Sequence, residues 1–339
     1  MVTGGAGYIG SHACLALLES GCRVVSIDDL SRGHARAHGA LSSLGGRNFV
    51  GHAVRIHDTD ALARIMAEER IDAVLHFAAF AEVGESMEHP LRYAHNNVAG
   101  TLSVLQAMER AGVPRLVFSS SCATYGAPDP GLVPIREDCP QRPINPYGAS
   151  KLFGERMILD QAAALHRSGK AFGCAMLRYF NVAGADPAGR LGEDHAPESH
   201  LIPICLQTAL GQRPAVQVFG TDWPTPDGTC VRDYVHVSDL VRAHLAVLDA
   251  LGPRDTRQYN VGIGRGFSVR ECIDSVRRVT GIAIASVDGP RRPGDPPVLL
   301  ADASRIRSEL GWEPSFTDLD AIVASAWAWF HAHPRGWKG

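Results

Sequence analysis

Through its first 181 residues the chain alternates short apolar, β-branched runs with longer segments of helical periodicity. The apolar runs are CRVVSID (22–28), IDAVLHFA (71–78), VPRLVFSSS (113–121) and AFGCAMLRYFN (171–181). Among the helical segments, 60–70 sets Leu62, Ile65 and Met66 on one face. The stretch 90–112 opens near a proline, aligns Val98, Leu102, Leu105 and Met108, and stops at a glycine. A second long helix is predicted over 145–166 (NPYGASKLFGERMILDQAAALH). Continuous apolar strands separated by such helices are buried on both faces, which requires βαβ units and a parallel sheet. The pattern predicts an α/β fold, a doubly wound parallel sheet of Rossmann type.

After residue 181 the composition shifts to loops rich in Gly, Pro and acids, at 181–200, 219–234 and 289–297. Helical stretches at 200–211 and 268–281 lie among them. The expected organisation is a dinucleotide-binding domain over 1–180, with 232–262 returning to it. A smaller, loop-rich C-terminal substrate lobe then spans 181–231 and 263–339. A length of 339 residues with 45% apolar content suits two lobes. A net charge of -3 argues against a general nucleic-acid binder. No apolar run approaches the roughly 18–20 residues that cross a bilayer. Only two residues precede the first glycine turn, which leaves no room for a leader peptide and implies either a truncated start or a very short first strand. Eight cysteines without a C-x-x-C pair read as free thiols in a reducing cytoplasm. Fifteen histidines show no metal-ligand spacing, so no metal is expected.

The stretch TGGAGYIGSH (3–12) places Gly4, Gly7 and Gly10 in a G-x-x-G-x-x-G turn, with Ile9, Ala13 and Leu17 forming an apolar face behind it. Glycines let the backbone approach a pyrophosphate, and the helix N-terminus supplies free N–H donors. A plain tight turn is the competing reading of the glycines alone. The strand at 22–28 ends in Asp28, 18 residues after Gly10. A carboxylate there accepts from ribose hydroxyls and repels a 2′-phosphate, which favours NAD over NADP.

Tyr147 and Lys151 are spaced i, i+4 on the second long helix and share a face. A phenol with an ordinary pKa of about 10 is a poor base, and a nearby ammonium favours its phenolate. Ser121, at the end of a predicted strand, is placed to hydrogen-bond a reacting oxygen. A packed tyrosine beside a surface lysine is the bland alternative. The combination of glycine turn, Asp28, Ser121, Tyr147 and Lys151 is far more specific than any single member.

These residues resemble the extended short-chain dehydrogenase/reductase family. Within it, the chain is similar to the UDP-glucose 4-epimerase (UDP-galactose 4-epimerase) family from Thr3 to about Trp337. The motifs that carry the likeness include FSSSCATYG, NPYGASK, LRYFNVAGADP, HLIP, PTPDGTCVRDYVH and RRPGDPP. The resemblance implies NAD-dependent oxidation of a UDP-hexose at C4, turning of the 4-keto sugar, and re-reduction on the other face. It implies cofactor contacts from Gly4, Gly7, Tyr8, Ile9, Gly10, Asp28, Phe77, Ala78, Asn97, Ser121, Tyr147, Lys151 and Phe180. It implies substrate contacts from Ser121, Tyr147, Asn181, His200, Leu201, Phe219, Arg232, Arg292, Asp295 and Leu299. Arg291 reads as a solvated neighbour of Arg292. A homodimer through the two long helices is also implied, although both could pack internally.

The chain departs from the family pattern at three places. Ala53 stands where an acid contacts adenine, Ala81 where a lysine lies near the nicotinamide ribose, and His200 where asparagine is usual. With the short first strand, these predict looser NAD. Leu299 lies where tyrosine restricts the sugar site and cysteine or serine opens it to N-acetylated sugars, so glucose and galactose are favoured. The alternatives are a 4-epimerase of UDP-N-acetylhexosamines, uronic acids or pentoses, and a non-catalytic NAD-binding sensor. A 4,6-dehydratase needs a carboxylate beside the active serine, where this chain has Cys122 and Ala123.

Overall fold

Val2 and Thr3 form the shortest strand of the larger sheet, and they pair on both sides. Val2 lies in register with Ser26 and Leu75, and Thr3 with Ile27 and His76. The structure is a computed structural model describing residues 1–292 and 295–338.

In chain order the elements begin β1 (Val2–Thr3), α1 (Tyr8–Glu19), β2 (Val24–Asp28), α2 (Ala35–Gly45), β3 (Phe49–Ala53), α3 (Thr59–Glu68) and β4 (Val74–His76). Then come α4 (Val83–Glu88), α5 (Pro90–Tyr93), a π-helical turn (Ala94–Ala99), α6 (Gly100–Ala111), β5 (Arg115–Ser121), α7 (Pro146–Arg167), β6 (Gly173–Tyr179) and β7 (Asn181–Ala183). The chain continues with α8 (Leu201–Ala209), β8 (Val216–Phe219), β9 (Val231–His236), α9 (Val237–Ala250), β10 (Thr256–Val261), β11 (Gly266–Ser268) and α10 (Val269–Thr280). It ends with β12 (Ser286–Gly289), β13 (Val298–Leu299), α11 (Ser304–Leu310) and α12 (Leu319–Ala332).

Two compact units result, one of residues 1–126, 141–178 and 241–259, the other of 127–140, 179–240 and 260–339. The first is built on a seven-stranded sheet of order β10-β6-β5-β4-β1-β2-β3. The pairs β3–β2–β1–β4–β5 are all parallel, as the apolar runs predict. The order reverses direction at β1, and such switch points are where open α/β sheets bind ligands. Its core joins Val25 and Ile27 of β2, Leu62, Ile65 and Met66 of α3, Val104 and Met108 of α6, and Ile158 of α7.

Leu102 is a correction to the predicted helix face: it is 45% exposed, while Thr101, Val104, Leu105 and Met108 are buried. Thr101, Val104, Leu105 and Met108 form the i, i+3, i+4, i+7 face of α6, and Leu102 lies off that face.

The second unit has a four-stranded sheet in which β9 pairs with β7, β11 and β13, and a separate β8–β12 pair. Its core packs Ile202 and Leu206 of α8, Ile273 and Val276 of α10, and Ile322, Val323 and Trp329 of α12. Ile135 is bridged to Ala301, which anchors the segment 127–140 in this unit. No helix among the described residues is long and apolar enough to cross a membrane.

Candidate active site

In the first unit, Gly4 adopts φ +72° and donates its N–H to the Ile27 carbonyl at 2.7 Å. A Cβ on Gly4 would sit 2.7 Å from the Ala78 nitrogen, so the chain after β4 closes directly on the turn. At Gly10 a Cβ would lie 2.0 Å from the Gly4 carbonyl oxygen. Gly10 is therefore required by the turn itself, rather than by packing of the helix on the sheet. Helix α1 starts at Tyr8 and Ile9 with Gly7 as its extended N-cap; no side chain caps it, and no acid lies in its first turn. A helix start with no capping side chain and no acid fits an anionic pyrophosphate.

Asp28 ends β2 and is 8% exposed. Its Oδ2 accepts from the Ala6 N–H at 3.0 Å and its Oδ1 from the Leu30 N–H at 2.8 Å. Burial raises its pKa, while the two backbone donors pull the other way. The carboxylate ties the glycine turn to its own strand end, and each oxygen keeps a further acceptor position. Ala53 is the parallel-register partner of Asp28 and is exposed.

Asn97 lies in the π-helical turn. Its Oδ1 accepts from the Phe80 N–H at 2.8 Å, and its Nδ2 donates to the Phe80 carbonyl at 3.0 Å and to Ser150 Oγ at 2.9 Å. Both amide hydrogens are thus committed, which makes Asn97 a clamp on the segment after Phe77 and Ala78.

Ser121 ends β5, and its Oγ accepts from the Ala123 N–H at 3.1 Å. On α7, Tyr147 and Lys151 are both buried. Lys151 Nζ donates to the Ser119 carbonyl at 2.7 Å and lies 6.0 Å from the centre of the Tyr147 ring. Burial draws the lysine down to about 7, against a smaller upward pull from Glu155. Asn145 caps α7 by accepting from the Gly148 N–H at 2.8 Å, fixing the turn that carries Tyr147.

In the second unit, β9 carries register partners of residues predicted to bind substrate. Asn181 is the register partner of Tyr234, and Leu299 that of Arg232. Arg232 lies 3.6 Å from Asp295. The Arg292 guanidinium stacks 3.8 Å over the Phe219 ring, at the end of β8. Arg291 is exposed, stacks 4.0 Å over Trp223 and pairs with Asp222 at 2.7 Å. Leu201 opens α8, with His200 as its N-cap, and the His200 Nδ1 lies 2.8 Å from Glu198 Oε1. Phe180 is buried in this unit.

Several supporting residues carry no local sequence signal. His76, fully enclosed, bridges Thr3 Oγ1 at 2.6 Å and Thr101 Oγ1 at 3.1 Å, and burial lowers its pKa to about 3. Glu155 and Arg178 form a buried bidentate pair, joined by Tyr125, Gln141 and Gln258. Asp233 accepts the N–H groups of Ile263, Gly264 and Ala301, and burial raises it to about 6. Seven of the eight cysteines are buried and all are free thiols.

Residues 1–262 match the NAD dependent epimerase/dehydratase family. The chain belongs to the NAD dependent epimerase/dehydratase family. Within this epimerase/dehydratase family it is 47% identical to a UDP-glucose 4-epimerase of Halalkalibacterium halodurans, across 100% of this chain and 97% of that protein. A probable UDP-arabinose 4-epimerase of Oryza sativa is 46% identical, across 99% of this chain and 83% of that protein. Two solved epimerase structures superpose with a TM-score of 0.93. One, from Stenotrophomonas maltophila with bound NAD and formylated UDP-arabinopyranose, is 42% identical over 98% of each chain. The other, from Bifidobacterium longum with NAD+ and UDP, is 39% identical over 99% of each.

Proposed function

We propose that this epimerase/dehydratase family member interconverts UDP-galactose and UDP-glucose with NAD as its resident cofactor. The observation that carries the reading is a buried lysine, Lys151, on the same helix face as Tyr147, in a unit that also holds an uncapped glycine-rich helix start and Asp28. NAD, when bound, supplies the two-electron acceptor and donor for C4, so no net redox change accompanies turnover.

The chain's own residues supply position and proton transfer. Gly4, Gly7 and Gly10 with Tyr8 and Ile9 cradle the pyrophosphate, and Asp28 accepts from the adenosine ribose. Phe77, Ala78, Asn97 and Phe180 complete the cofactor surroundings. Ser121 donates to the sugar O4. Tyr147 accepts the O4 proton and later returns it, and Lys151 as an ammonium stabilises the phenolate. Asn181, His200, Leu201, Phe219, Arg232, Arg292 and Asp295 hold the UDP group. Two arginines match a diphosphate through paired hydrogen bonds. The nucleotide lobe takes 1–180 with 232–262; the sugar lobe takes 181–231 and 263–339.

Leu299 favours glucose and galactose over N-acetylated sugars. A UDP-pentose reading is the second candidate, supported by the 46% identity to the rice UDP-arabinose 4-epimerase. Incubation with UDP-galactose, UDP-N-acetylgalactosamine and UDP-arabinose, with product identification, tests this. Formation of UDP-glucose from UDP-galactose should be the fastest of the three conversions.

The chain forms a homodimer in this reading. Val83, Met87, Leu91, Leu102 and Phe153 are exposed on α4 to α7, with Leu91 at 84% and Phe153 at 59%. A second copy covering them explains so much exposed apolar surface. The buried free thiols fit a reducing cytoplasm.

A further inference from the structure

The loop leading into α8 gathers Glu193, His195, Glu198 and His200, whose ligand atoms all lie within 4.8 Å of one another. No motif in the sequence announces them, because their spacing is irregular and the loop must fold back to unite them. His195 Nδ1 is 3.1 Å from Glu193 Oε1 and 3.6 Å from Glu198 Oε2, and His200 Nδ1 is 3.4 Å from Glu193 Oε1. Four ligands at zinc bond lengths of about 2.0–2.1 Å stand roughly 3.3–3.4 Å apart at the corners of a tetrahedron. These three separations bracket that edge, and a fourth, from His200 Nδ1 to Glu198 Oε1, is a shorter hydrogen bond of 2.8 Å.

Glu198 adds a second, independent pointer. Its Oε1 accepts from the backbone N–H groups of Ser199 and His200, each at 2.8 Å. Its Oε2 is fully buried, makes no hydrogen bond, and faces His195. An anchored carboxylate with its other oxygen left over is the arrangement expected of a metal ligand oriented by its surroundings. The loop is itself held: Gly192 packs against the face of Trp329, and Asp194 accepts the Trp337 N–H at 2.8 Å.

We propose that Glu193, His195, Glu198 and His200 form a structural site for one divalent zinc-class cation. Two neutral imidazoles and two carboxylates carry two negative charges, which such an ion neutralises. The mixed nitrogen and oxygen set suits Zn²⁺ better than the harder Mg²⁺ or Ca²⁺. The ion would pin the loop to the first turn of α8. Imidazole and carboxylate ligate only when deprotonated, so metal and proton compete for one place.

The purified full chain, freed of metal with a chelator and dialysed against micromolar zinc chloride, should retain one zinc per chain by elemental analysis. The His195→Gln and Glu193→Gln chains should bind it at least about tenfold more weakly, with unchanged far-ultraviolet circular dichroism. Cobalt substitution of the unaltered chain should give the intense visible bands of a four-coordinate centre, a readout that needs no variant. Retention of less than a tenth of an equivalent overturns the proposal. So does zinc binding that survives both substitutions, or a weak six-coordinate cobalt spectrum.

Discussion

Lys151 donates from Nζ to the carbonyl of Ser119 at 2.7 Å while 3% exposed. Strand β5 thereby fixes the ammonium beside Tyr147, and burial draws its pKa from 10.5 to about 7. The folded chain then binds this proton less tightly than the unfolded chain. The stability this group contributes is lowest below pH about 7 and rises as pH climbs through the window up to about 10.4. Denaturant midpoints should show the unaltered chain gaining on Lys151→Met across that window, and parallel curves would contradict the burial argument.

One helical turn further on, Glu155 meets Arg178 with both side chains at most 2% exposed. Removing one charge strands the other in the core. Glu155→Gln should cost about 3–5 kcal/mol. Urea unfolding at neutral pH measures the loss, and a loss below about 1 kcal/mol would mean that the pair relaxes by letting in water.

Ala53 is exposed beside Asp28 at the C-terminal end of β3, so a carboxylate has room there. Ala53→Asp should add one hydrogen bond to the bound dinucleotide. A net gain of about 0.5–1.5 kcal/mol corresponds to roughly 2–10-fold tighter NAD. NAD retained after gel filtration is the readout, and unchanged retention would sink the idea that Ala53 loosens the cofactor.

Leu299 shares its register position with Arg232. Leu299→Ser should raise the rate on UDP-N-acetylgalactosamine relative to UDP-galactose by roughly tenfold or more, and Leu299→Tyr should lower that ratio. Identical ratios in the three chains would remove Leu299 from the sugar site.

The parts of the site legible in sequence are those whose geometry is local. The glycine turn, Asp28 at a strand end and Tyr147 with Lys151 on one helix face depend on contacts within a few residues or on one strand crossing. The parallel sheet was legible for the same reason: buried strands leave continuous apolar runs. What the sequence hid is non-local. Asp233 reaches Ile263 and Ala301, Glu155 meets Arg178, and His76 bridges Thr3 and Thr101. Such pairings need the fold before they can be seen. Leu102 is ambiguous in the sequence because the spacings 98, 102, 105, 108 and 101, 104, 105, 108 are both helical, and only the fold selects the second. The Glu193–His200 cluster has no sequence signal because a loop carries no period at all.

Tyr147→Phe tests the central claim most directly. The unaltered chain should convert UDP-galactose to an equilibrium mixture with UDP-glucose, with no accumulation of reduced nucleotide. The substituted chain should turn over about 10²–10⁴-fold more slowly while retaining the same amount of NAD. Undiminished turnover in Tyr147→Phe, or stoichiometric reduction of NAD by the unaltered chain, would contradict the account.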